Sequence, residues 1–393
     1  MDRRSFLRSG LGAAVCAGGA MSPETLFGQP TLTLQETFGP TPPAGSLIPV
    51  VGDGKWVWNK PPKDQTGYLE PRSYELKIGI KLEGVGNAGR IKATTPVPVQ
   101  LPEQKIDDVK VEKQGCSAKL RAVATEAGQL LLTAPSIVRG QTIAAAATFQ
   151  MTLYKQYHGF KAEQFPAEQK VDKKIRRYLG KSPGIQTRNK DVRAMSEKVA
   201  GKLEHPWAKA EAFYRWVRKN IAGHQGPYTS VVAAIRDRRG DCEERAAVFV
   251  AFCRIARIPA RLVWVPNHNW AEFYLHDHDG KGHWIPVHTS AYPWFGWTGA
   301  HELVLQKGDR IEVPEKHKPY RLLPDWMQYQ GKRPKATFKA ELTPVAKDTG
   351  SEVGPGSRRK DAKGEWLVVV KHPLDRKLRD SDRIGLGKKS VGG

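Results

Sequence analysis

No run of 18 or more apolar residues occurs in the sequence, so no segment reads as a membrane-spanning helix. Acidic residues are in short supply: 40 Asp and Glu face 63 Lys and Arg, a formal charge of +23. That imbalance disfavours cationic partners and suits anionic ones, whether nucleic acid, lipid headgroups or acidic cell-envelope polymers. The basic stretches lack interleaved aromatic residues, which argues against specific nucleic-acid binding. Cysteine is scarce, with only Cys16, Cys116, Cys242 and Cys253. The run His276-Asp277-His278-Asp279-Gly280-Lys281-Gly282-His283 lacks the ligand spacing of a known metal site and reads as a polar hairpin loop. The sequence calls for no metal and no cofactor.

What is present begins with an address. Residues 1–20, MDRRSFLRSGLGAAVCAGGA, pair Arg3 with Arg4 ahead of a short Gly/Ala run, the pattern of a twin-arginine export signal. Cleavage after Ala17 or Ala20 fits the small-residue rule, and Val15 before Cys16 is too bulky for a lipobox. Export to the periplasm or cell envelope is therefore expected, with no transmembrane helix in the mature chain. Losing Cys16 leaves an odd number of cysteines, hence room for one free thiol.

Residues 21–69 are rich in Pro, Gly and Thr without a period and read as a linker or arm. Over 70–157 the period is two: Leu76, Ile78, Ile80 and Leu82 alternate, and so do Ile143, Ala145, Ala147, Phe149, Met151 and Leu153. With turns at Gly84-Val85-Gly86-Asn87 and Ala127-Gly128, this predicts a small all-β sandwich. Over 160–325 the period turns helical. Helices are expected from Pro166 to about Tyr178, from Asp191 to Leu203, and from Pro206 with Trp207, Ala210, Phe213, Val217 and Ile221 on one face. A short helix capped by Ser230 and another over Cys242–Ala256 follow, then strands at 262–265, 268–276 and 283–288. A helix bundle carrying a cysteine, followed by an antiparallel sheet, makes an α+β domain. Residues 326–393 are basic, with 16 Lys and Arg against 8 Asp and Glu from Gly331 onward, and are expected to be mostly disordered.

Three short motifs stand out in order: Gly240-Asp241-Cys242 opening a helix that leads to Ile258-Pro259-Ala260-Arg261, then His268-Asn269-Trp270-Ala271-Glu272, then Trp284-Ile285-Pro286-Val287-His288. Their order and spacing resemble the transglutaminase-like cysteine superfamily, over roughly residues 175–300. The resemblance implies a papain/transglutaminase-like core and thiol chemistry on amide bonds. It places the nucleophile at Cys242, the acid–base histidine at His268 and the orienting residue at His288. The family normally has Asp at that third position, and Gly where Arg257 stands.

The residue types suit the chemistry. A helix N-terminus lowers a thiol's pKa through unpaired N–H groups and the macrodipole, although Asp241, Glu243 and Glu244 oppose it. An imidazole at His268 would hold an ion pair with the thiolate and protonate the leaving amine. The Cys242 backbone N–H is a natural oxyanion donor, while the second donor is not identified by the sequence. A neutral His288 can orient His268 but brings no negative charge, which leaves a slower enzyme, one tuned to another pH, or a binding domain. Facing histidines require an odd-length loop between the last two strands, and pairing His268 with His288 would centre it on His278. Trp270, Tyr228 and Trp284 are candidates for the substrate cleft.

The expected function is an exported thiol enzyme that hydrolyses peptide or isopeptide bonds or transfers their acyl groups, on a peptide or protein substrate. The rival is a catalytically impaired module that binds an acidic envelope polymer or protein.

Overall fold

The structure, a computed structural model, describes residues 58, 60–224, 228–266, 268–290, 292–316, 319–345, 358–360 and 366–368. The expected export signal and most of the arm lie outside the described residues. Among the described residues, no helix is long and apolar enough to cross a membrane.

Six antiparallel strands come first: β1 Gly67–Glu83, β2 Ala88–Val97, β3 Gln104–Gln114, β4 Ser117–Ala124, β5 Ala127–Ile137 and β6 Thr142–Tyr157. The period-two residues of β1 and β6 face one core, where Leu76, Ile80, Ala145, Phe149 and Leu153 are buried together. One turn is displaced from its expected place. The chain reverses at Thr125-Glu126, and Ala127-Gly128 already belongs to β5. Gly128 serves close packing instead, because a Cβ there would meet Val97 and Val99 side chains at 3.1–3.2 Å.

The helices follow: α1 Lys190–Ala200, α2 Pro206–Asn220, α3 Val231–Asp237 and α4 Cys242–Ile255, with the two-residue strands β7 Ala222–Gly223 and β8 Arg239–Gly240 pairing in parallel between them. The helix expected from Pro166 to Tyr178 does not form. One short 3-10 turn, Ala162–Gln164, precedes that stretch and another, Arg176–Leu179, ends it. Between Pro166 and Tyr178 only Tyr178 is fully buried, so a helix there would have no apolar face to pack. Gln169 instead bonds both backbone groups of His276.

Strands β9 Ala260–Val265, β10 His268–His276, β11 Gly282–Val287, β12 Trp297–Thr298 and β13 Gln306–Lys307 complete the cysteine-bearing half. Phe249 and Phe252 of α4 pack against Leu262, Ala271, Phe273 and Ile285 on one face of this sheet. The architecture is α+β, with an N-terminal β region ahead of the helices and sheet that hold Cys242.

The expected disordered tail is corrected in part. Strands β14 Trp326–Gly331 and β15 Lys335–Pro344 return to the N-terminal β region, pairing with β2 and β1. Ala336, Phe338 and Leu342 of β15 enter the core behind β1, and Lys335 and Lys339 stay outside it. A further hairpin joins β16 Arg358–Lys360 to β17 Trp366–Val368.

One sheet runs through both halves in the order β11-β10-β9-β13-β5-β2-β14, with Gln306 of β13 paired to Trp264 on one side and Ala127 on the other. Buried charges reinforce the join. Arg261 pairs with Glu272 and Glu126, and Lys307 with Glu272 and Glu103.

Candidate active site

The site starts from the N-terminus of α4. Asp241 caps it, its carboxylate accepting from Glu243 N at 2.8 Å, while Glu244 accepts from Asp241 N at 3.0 Å. This reciprocal pair is a capping box. Gly240 makes room for it, since a Cβ there would lie 2.5 Å from Glu244 Cβ. The acids flanking Cys242 are therefore committed: Glu243 is paired with Arg321, and Glu244 also takes the Thr229 N–H at 2.8 Å. Arg245, one turn on, interacts electrostatically with Cys242. A nearby cation favours a thiolate.

Across from the helix, β10 presents its first residues to the thiol. Cys242 Sγ donates to Asn269 Oδ1 at 3.6 Å, beside His268 in the chain. Asn269 is buried, and its Nδ2 has no hydrogen-bond partner among the described residues. The register of β10 and β11 pairs Ala271 with Val287 and His276 with Gly282, leaving the loop 277–281. Its length is odd, as the two histidines require, but its centre is Asp279 and not His278. Continued, that register puts His288 opposite Trp270, with His268 two residues along the same face.

The two imidazoles meet accordingly, with ring centroids 5.7 Å apart and planes 25° from parallel. Trp270 stacks on His288 at 5.0 Å, and Trp294 meets it edge-on at 4.8 Å. Arg218 Nη1 donates to the carbonyls of His288, Ser290 and Tyr292, fixing the chain that follows. His288 is wholly buried, and burial pushes its imidazolium well below the usual histidine range, with His268 and Arg218 adding to the effect. At neutral pH it is a neutral ring.

A carboxyl group stands behind it. Glu302, in the segment between β12 and β13, brings Oε2 to 3.6 Å from His288 Nε2. Burial drives its carboxyl well above the usual range; the Trp270 indole acts the other way, and Glu103 reinforces the rise. One donor atom each from His268, His288 and Glu302 lies within 4.8 Å of the others, the combination in this site able to hold a metal ion. Sequence reasoning missed Glu302. Its signal was an acid inside the apolar stretch Ala300-His301-Glu302-Leu303-Val304-Leu305, where an unpaired carboxylate is costly.

The three cleft candidates separate. Tyr228 is next to the site: its ring lies under the Arg321 guanidinium at 3.7 Å, and Arg321 holds Glu243 beside Cys242. Trp270 is 1% exposed, so it backs His288 and cannot line an open cleft. Trp284 of β11 covers Arg261 at 3.8 Å, between Tyr178 and Tyr274, four residues before His288. Its half-buried ring covers the buried guanidinium. The histidines of the hairpin loop each bond a different group: His276 to Asp172, His278 to the Glu163 carbonyl, and His283 to Asp277. Arg257, beyond α4, takes a left-handed φ of 64° where the resembling family has glycine. Among the described residues, Cys116, Cys242 and Cys253 form no disulfide.

Residues 193–289 match the family model of the transglutaminase-like superfamily. No curated protein matches the chain. Among solved structures, a protein of Cytophaga hutchinsonii described as a "putative cysteine protease" is similar at 16% identity, over 72% of this chain and 93% of that one, with a TM-score of 0.49. The periplasmic domain of TgpA from Pseudomonas aeruginosa is similar at 15% identity, over 64% of this chain and 84% of that one, with a TM-score of 0.28. At these identities and scores neither likeness carries an activity or a substrate across.

Proposed function

The chain carries a transglutaminase-like domain, and on that premise we propose that it is an exported thiol enzyme acting on amide bonds by acyl transfer, with Cys242 as nucleophile. One observation carries the reading: Cys242 begins a capped helix and its Sγ meets Asn269, the neighbour of a histidine that stacks on His288. The Cys242 thiolate attacks the amide carbon, and negative charge develops on the acyl oxygen. The Cys242 N–H and the Asn269 Nδ2 are the donors assigned to that oxygen. His268 gives its proton to the departing amine, leaving a thioester on Cys242. Water, deprotonated by His268, then attacks the thioester, releasing acid and restoring the thiol. Hydrolysis is favoured over cross-linking because water is always present as acceptor. The charge of +23 favours an acidic protein or envelope polymer as the substrate, and the Arg3-Arg4 leader supports export.

A second reading is supported by the burial of the His288–Glu302 pair. A neutral imidazole backed by a carboxyl whose pKa burial raises gives a positive charge at His268 little support, as in a domain that binds without turning over.

Carbamidomethylation of Cys242 by iodoacetamide, followed across pH with Cys242→Ala as the blank, separates the two. An enzyme shows alkylation well below the ordinary thiol pKa of about 8.5. A profile that rises only around that value would sink the catalytic reading.

A further inference from the structure

The inner part of the site has more donors than a thiol enzyme uses. His268 comes from the start of β10, His288 from the residue after β11, and Glu302 from the segment before β13. Three chain segments thus bring two imidazole nitrogens and one carboxylate oxygen within 4.8 Å of one another. His288 and Glu302 are 0% and 4% exposed, so this is not a solvated acidic patch. His288 Nδ1 and Glu302 Oε2 are buried and have no hydrogen-bond partner among the described residues, while His288 Nε2, the nitrogen that faces Glu302, lies 3.3 Å from Thr298 Oγ1 and would exchange that bond for the ion. Buried polar atoms are nearly always satisfied, and an unsatisfied set in one place points to a missing ion or water.

We propose that His268, His288 and Glu302 form a binding site for one divalent transition-metal ion of the zinc class. Two imidazoles and a carboxylate are a donor set for such ions, with a fourth position left open to solvent or substrate. Metal–ligand bonds of about 2.0–2.2 Å at tetrahedral angles set donors roughly 3.4 Å apart. The His288–Glu302 contact, 3.6 Å, is already near that value. The wider separation closes by rotation of His268, which is only half-buried and is the side from which an ion enters. Trp270 and Trp294 close the opposite side. The nearby cations do not compete, because Lys307 is held by Glu103 and Glu272 and Arg218 by three backbone carbonyls. Softer ligands would have marked a copper(I) or iron–sulfur site, and an all-oxygen set would have suited magnesium or calcium.

The site and the thiol mechanism share His268 but do not depend on one another for their tests. Co2+ is the probe, titrated into metal-free full-length protein and into Cys242→Ala, Glu302→Gln and His268→Ala, with visible absorption and calorimetry as readouts. The expected result is one equivalent bound, with d–d bands of a low-coordinate nitrogen/oxygen site, in the wild type and in Cys242→Ala alike. Glu302→Gln and His268→Ala, shown by circular dichroism to be folded, should bind at least tenfold more weakly. The absence of a one-equivalent site in the wild type would overturn the proposal, as would binding that Glu302→Gln and His268→Ala leave unchanged. Binding in Cys242→Ala together with an inert thiol would remove the enzyme reading and leave the metal site standing.

Discussion

Glu302 Oε2 lies 3.6 Å from His288 Nε2, with both side chains removed from solvent. A buried carboxyl thus stands one side chain beyond the position where the resembling family has Asp, and burial drives its pKa well above the usual carboxyl range. This changes what a simple restoration should do. His288→Asp alone places a second carboxyl against Glu302, and two like charges in one buried place cannot both ionise readily. The single variant is expected to gain less than threefold in the rate of Cys242 alkylation at neutral pH. The double variant His288→Asp/Glu302→Gln removes the conflict and should gain on the order of 10²-fold, the scale of a triad carboxylate's contribution. Equal rates in the two variants would show that Glu302 exerts no hold on the position.

Asn269 is the least expected member of the site. Its Nδ2 is buried and unpartnered among the described residues, beside a carboxamide oxygen that accepts from Cys242 Sγ. If it serves the acyl oxygen, Asn269→Ala should lower kcat on an amide substrate by roughly 10²–10³ and leave KM nearly unchanged. A loss confined to KM would make it a binding residue only.

The three thiols should react in a fixed order. Burial pushes Cys253 well above the usual thiol range and Cys116 above it to a lesser extent, and Cys116 Sγ also donates to the Ala144 carbonyl at 3.1 Å. Mass spectrometry after brief alkylation at pH 7 should find Cys242 modified first, Cys116 slowly and Cys253 only after unfolding. Early modification of Cys253 would mean that α4 opens readily in the native state.

Much of this site was legible because its signals are local. Asp241 and Glu244 are spaced for a capping box, so the helix start at Cys242 is written in four residues. The loop 277–281 keeps the parity that puts two histidines on one face. Glu302 was not legible, because its nearness to His288 depends on how 288–302 folds back through β12, which no short pattern encodes. The strand β15 was hidden differently. Ala336, Phe338 and Leu342 alternate, but they lie among lysines in a basic stretch that composition assigns to disorder. The shared sheet rests on two residues of β13, too short a strand to carry a period.

Away from the site, Arg254 and Asp309 form a fully buried pair, with Nη2 donating to both carboxylate oxygens at 2.9 and 2.8 Å. Arg254 also donates to the carbonyls of Ala260 and Gly180, and Asp309 accepts from Leu262 N at 3.1 Å. The pair ties the C-terminal end of α4 to β9. Asp309→Ala strands a buried guanidinium and should cost about 3–5 kcal/mol in urea unfolding. The joint change Arg254→Met/Asp309→Leu should cost less than the single one. A larger loss in the double variant would mean that the hydrogen bonds to Gly180 and Ala260 carbonyls outweigh the charge pair.

His301 gives the fold a defined acid response. Burial holds its imidazole down at about pKa 3, although Nε2 lies 2.6 Å from the Glu70 carbonyl that it bonds. In the unfolded chain the same group titrates near 6.5. Between those values the unfolded state takes up a proton that the folded state refuses, so acid favours unfolding. Stability from this residue is full above pH 6.5 and falls by up to about 1.4 kcal/mol per pH unit down to about 3. His301→Gln keeps an amide able to donate to Glu70 and has no proton to gain. The carboxylates titrate in both proteins, so the difference between them isolates the histidine. Relative to wild type, the variant's unfolding free energy should improve by about 2–3 kcal/mol on going from pH 7 to pH 4.5. A difference independent of pH would mean that His301 is protonated in the fold, with its charge met by Glu70, whose carboxylate is already held by Lys155.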